Sequence, residues 1–154
     1  MRSWCQGIAA ALAVALLTAA CDTGAGTVQD AAPRYQAVSD AYMQAITAAA
    51  LTIQTTHPAA ATITSAMSRM EQATHTYLGG LRQIQFPDSM QAHVKTMDAD
   101  AQTLANADLL LVNEAQNLNR ADVSKWNQLD SQWRADDKQL RQDLGLTVPD
   151  FDNH

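Results

Sequence analysis

The chain has 154 residues, 47% of them hydrophobic but only 5% aromatic, and a formal net charge of −6. That length allows one domain with a real core, and the alanine-rich, aromatic-poor composition favours packed helices over a sheet of β-branched residues. The acidic balance speaks against nucleic acid as a partner, because the lysines and arginines are scattered among acids and form no stripe able to displace counterions from phosphates. It equally opposes electrostatic docking on anionic headgroups.

Arg2 is followed by an uncharged apolar run, Ile8 to Leu17, and then by the small residues Thr18, Ala19 and Ala20 before Cys21. This is the pattern of an export signal over residues 1–20, too short for a transmembrane helix, which needs about 20 apolar residues. Its end, LLTAAC, resembles the lipobox of bacterial lipoproteins, with Thr18 where leucine is commonest and Cys21 at the essential position. The resemblance implies that Cys21 receives diacylglycerol, becomes the first residue after cleavage, and holds the protein by lipid to the extracytoplasmic face of the cell membrane. The acyl chains, palmitate among them, would make a stable anchor because there are two of them.

Cysteine use agrees with the lipid. Cys5 falls in the removed segment, so Cys21 is the one thiol left, and a thioether keeps it from mispairing in an oxidising compartment. An ordinary secretory signal cut near Ala20 is the alternative; it changes the chemistry of Cys21 but not the compartment. Arg2 is the only charged residue before Cys21, so cleavage takes the formal charge from −6 to −7.

Residues 21–30 lack a hydrophobic period and read as a tether, which spans at most about 30 Å. The first helix is expected from Ala31, with Asp30 as N-cap and Pro33 in the first turn. Tyr35, Val38, Tyr42, Ala45, Ile46, Ala49 and Ile53 form its apolar face, and Pro58 ends it by His57. The second runs from Ala59 to Ile84 along Ile63, Met67, Met70, Thr74, Tyr77, Leu81 and Ile84. Gly79 and Gly80 cost it about 2 kcal/mol against alanine, which predicts a kink, an early stop or close approach of a neighbouring backbone.

The third helix follows Phe86-Pro87, with Asp88 or Ser89 capping and Met90, Val94, Met97, Ala101, Leu104, Asp108, Leu111, Ala115 and Leu118 on its seam. The fourth spans Asp122 to Leu144 on Val123, Trp126, Leu129, Trp133, Leu140 and Leu144, stopping at Gly145. Short connections between four such helices predict an all-α, antiparallel four-helix bundle, up-down-up-down, over residues 31–148. Residues 149–154 form a polar tail. From Leu78 through Leu146 the chain also resembles a broad set of helical lipoproteins and exported proteins of high-GC bacteria. That likeness rests on Leu81, Phe86-Pro87 with the alanine-rich helix after it, and the closing LRQDLGL of Leu140 to Leu146. It implies a bundle and brings no activity with it.

Catalytic motifs are missing from the sequence. The serines have no GxSxG elbow, and there is no phosphate loop, HExxH or CxxC. Asp98/Asp100 and Asp136/Asp137 are paired acids, but acids on helices usually form solvated faces. No enzyme and no cofactor is therefore expected.

Met90, His93 and Met97 recur at helical spacing, and a hairpin turning at Phe86 would bring His75 level with Met97. His75, His93 and Met97 are thus the candidate ligands of a copper-type metal-binding alternative, set against methionine as ordinary core filler. Asp108 lies on an apolar seam and either Asp136 or Asp137 lies near another. A buried acid needs a partner, for which Arg69 is a candidate, unless the bundle rotates to leave the acids wet. Trp126 and Trp133, one heptad apart, are core or else anchors lining a ligand groove. The leading reading is a non-enzymatic binding or surface-interaction module with a protein or small-molecule ligand.

Overall fold

A computed structural model describes residues 26–53, 59–114 and 120–149, so the signal segment, Cys21 and the first half of the tether lie outside the described residues. Four helices follow one another: α1 (Val28–Ile53), α2 (Ala60–Leu81), α3 (Gln91–Asn113), preceded by a 3-10 turn at Asp88–Met90, and α4 (Arg120–Asp143). At 1.5 Å per residue they are about 33 to 39 Å long. Each packs antiparallel against the next, giving the expected four-helix bundle, whereas α1 and α4 meet chiefly through long side chains.

The start of α1 is set three residues earlier than Asp30 would set it. Thr27 accepts the Asp30 backbone N–H at 3.2 Å and donates its hydroxyl to Asp30 Oδ2 at 2.7 Å. This reciprocal cap makes Val28 the first helical residue, and Pro33 then falls in the second turn, where it removes one backbone hydrogen bond. The last described residue of α1 is Ile53.

α2 runs unbroken through both glycines. The helix then ends at Leu81, one residue past Gly80 and short of the expected Ile84, so the early stop is realised; a Cβ at Gly80 would lie 2.7 Å from Val38 Cγ2, so what crosses closely there is a side chain and not a backbone. At the end of α4, Gly145 takes φ 68°. The Leu146 N–H bonds back to the Arg141 carbonyl at 2.8 Å and Gly145 N–H to Gln142 at 3.0 Å, closing the helix in a Schellman turn.

Between α2 and α3 the chain does not turn tightly at Phe86. Residues 82–87 run on beside the first turns of α3, with Phe86 buried against Tyr35 and its carbonyl accepting from Gln91 Nε2 at 2.9 Å. α3 consequently starts about two turns below the end of α2, and Arg82 faces Asp98 (Nε–Oδ1 2.6 Å). That offset changes which residues share a layer.

The core is a column of aromatic, aliphatic and alanine side chains. Tyr42, Tyr77 and Trp133 pack as a ring cluster at its centre, with centroids 4.4 to 5.3 Å apart. Ala49, Ala66, Ala73, Ala101 and Ala105 allow the hairpins to close around it.

Candidate functional site

Three features could carry function: two buried polar clusters and one surface groove. The first cluster joins α1 to α4. Asp137, fully buried, accepts from the Tyr35 hydroxyl (2.6 Å), the Ser39 hydroxyl (2.6 Å) and Arg141 Nε (2.9 Å). Arg141 Nη2 also donates to Ser39 Oγ at 2.7 Å and to Asp40 Oδ1 at 2.6 Å.

Two hydroxyls and one guanidinium thus converge on a single carboxylate, and the guanidinium makes its bond a charge-assisted one. Burial works against the Arg141 charge, but Asp40 and Asp137 outweigh it and hold its pKa above the usual arginine range. Burial, together with the Tyr77 and Asp137 beside it, pushes the Tyr35 hydroxyl far up, so it stays a donor. Bonded to one another in this way, these side chains tie α1 to α4.

The second cluster lies higher in the bundle. Thr74 Oγ1 is 2.6 Å from Asp108 Oδ2 and 3.0 Å from the Met70 carbonyl, while Trp126 Nε1 donates to Asp108 Oδ1 at 2.6 Å. A threonine hydroxyl has one proton, so it cannot donate to both of its neighbours. Both contacts are hydrogen bonds when Asp108 is itself protonated and donates to Thr74. Burial, reinforced by Asp130 and Glu71, pushes the Asp108 carboxyl up to about 6, against the opposing donors Thr74 and Trp126. Burial also raises Asp130, although Arg134 pairs with it at 2.7 Å. Near these acids the Tyr42 hydroxyl, Asp130 Oδ1 and Trp133 Nε1 are buried without a hydrogen-bond partner.

The groove runs along the outer face of α1 and α2, with a volume of about 570 Å³. Ala37, Ala41, Ala45 and Ala48 floor one side because their methyls leave room that larger residues would fill. Arg69 stands at its upper end and Gly80 at its lower end.

The residues singled out from sequence scatter across these features. His75 is exposed and pairs with Glu71 at 3.2 Å, His93 contacts Asp143 at 3.3 Å, and Met97 is buried with its Sδ 3.5 Å from the Tyr35 hydroxyl. The offset of α3 moves Met97 about 12 Å along the axis from the level of His75, so the two are not brought together. No group of three or more His, Cys, Asp or Glu among the described residues is placed to hold a metal.

The tryptophans follow the core reading, and the groove alternative for Trp126 and Trp133 falls. Trp133 is 1% exposed and sealed in the core, and Trp126 is half-buried on Asp108, so neither lines the groove. Arg69 is exposed and partners no helix-four acid; Arg141, four residues from Asp137 on the same helix, takes that role. Ser39 and Arg141 escaped notice, although Ser39 falls four residues after Tyr35 and three before Tyr42 on the buried face. Cys21 lies outside the described residues, and no described helix is long and apolar enough to cross a membrane. Compared with family models, curated proteins and solved structures, the chain matches none.

Proposed function

We propose that this protein is a lipid-anchored, extracytoplasmic lipoprotein that acts as a non-enzymatic binding module, with the α1/α2 groove as its binding surface. The anchor rests on LLTAAC and Cys21. The binding surface rests on one observation: an apolar groove of about 570 Å³ is open on α1 and α2, while the interior polar groups of the α1/α4 seam are consumed by one another. Exposed concave apolar surface on a small domain marks a contact site. The copper-type alternative draws no support from the positions of His75, His93 and Met97.

The test uses the anchored protein in its native membrane, with a photocrosslinking residue at Ala41 in the groove or at Ser131 on the exposed face of α4. Adducts, lipid or protein, formed from position 41 and not from 131 are the expected result. Equal labelling from both positions, or none from 41, overturns the reading.

A further inference from the structure

Resting on that reading, we infer that the α1/α2 groove takes a single-chain anionic amphiphile of the fatty-acid type, with its carboxylate at Arg69 and its alkyl chain laid toward Gly80.

The argument begins with charge. α1 has no charged residue after Asp40 and described α2 has none before Arg69, so that guanidinium is the only charged group lining the groove. It is exposed, makes no ion pair among the described residues, and belongs to a chain of net charge −6. Arginine stays ionised and presents a fork of donors that matches a carboxylate.

The rest of the groove is mainly apolar: Gln72 and Thr76 are the polar residues of its α2 side, and the Thr76 hydroxyl is turned to the Gln72 carbonyl at 2.9 Å. Ala41, Ala45 and Ala73 offer methyls, and the rings of Tyr42 and Tyr77 back them. From Arg69 to Gly80 is eleven residues of helix, about 16 Å, the reach of a chain of roughly a dozen carbons. At the lower end Val38 crosses Gly80 closely enough to leave no room for a side chain there, so α1 and α2 draw together and the groove narrows. A polar head at one end, an apolar run and a narrowing at the other describe one amphiphile lying along the helices. In a two-fold pairing of groove on groove, the second copy would bring its own Arg69 as the charged group of that lining, like charge against like.

The experiment labels the full chain with a diazirine-bearing dodecanoic acid and, separately, with the corresponding dodecanol, and maps the adducts by mass spectrometry. The acid is expected to mark residues 41–48 and 73–80 more strongly than the alcohol. Arg69→Gln should cut labelling by the acid about fivefold, the scale of one exposed ion pair, and leave the alcohol unchanged; Arg69→Lys should restore part of it, and Ala45→Phe should remove both. Acid labelling no stronger than the alcohol's, or unaffected by Arg69→Gln, overturns the amphiphile while leaving a groove that binds. Adducts falling outside the groove with both probes overturn the binding surface as well. Crosslinking between copies at position 41 would make the groove a self-interface and overturn the amphiphile alone.

Discussion

Arg141 Nε donates to Asp137 Oδ2 at 2.9 Å across one turn of α4, and both side chains are almost wholly removed from water. Each charge is tolerable only because the other is there. Asp137→Ala leaves the guanidinium with Asp40, Ser39 and the Thr147 carbonyl, without its buried carboxylate, and a loss of about 3–5 kcal/mol is expected in urea unfolding. Replacing both together, Asp137→Leu with Arg141→Met, should recover most of it. A double variant as unstable as the single one would show that Ser39 and Tyr35, not the ion pair, dominate the site.

Two tyrosines on the same helix should respond oppositely to losing their hydroxyls. Tyr35→Phe takes a 2.6 Å donor from Asp137 and should cost about 1–3 kcal/mol. Tyr42→Phe removes a buried hydroxyl with no partner and should be neutral or stabilising by about 1 kcal/mol. Thermal melts of the pair, read against the parent chain, decide it.

The acid at position 108 makes the bundle prefer mildly acidic solution. Its folded pKa of about 6 lies above the unfolded 3.8, so the native state binds the proton more tightly and stability falls as pH rises between those values. The difference amounts to roughly 3 kcal/mol by neutral pH. Asp130 is raised by burial, and Asp100 by burial and its hydrogen bond to Asp136, so both act in the same direction. Asp108→Asn should be more stable than the parent at pH 7.5 and nearly equal to it at pH 3, below the unfolded pKa. A parent whose stability rises from pH 5 to 7 would contradict the protonated acid.

Lipidation has a direct readout. Mass spectrometry of the N-terminal peptide of membrane-extracted protein should show diacylglycerol on Cys21, and Cys21→Ala should leave the membrane fraction. Unmodified Cys21 would leave the ordinary secretory signal as the answer.

The helices were legible because alternating three- and four-residue steps and proline stops are local properties. What the sequence hid were relations across elements. Register between α2 and α3 depends on how residues 82–87 lie beside α3, which no local rule states, and the metal trio and the role given to Arg69 both failed on that offset. Arg141 went unread because an arginine near a helix C-terminus is usually a solvated favourable charge. The groove was invisible for a simpler reason: alanine on a helix looks the same whether its methyl meets a neighbour or open space.

The α1/α4 seam also determines when, during folding, the chain becomes one body. Its bonds join residues 102 positions apart, as from Tyr35 to Asp137, whereas each hairpin joins neighbours in sequence. Closing the longer loop costs more chain entropy and gains little until the directional donors are aligned. The seam is therefore the last part to form and the first to part, and substitutions at Asp137 or Arg141 will hasten unfolding while barely slowing refolding.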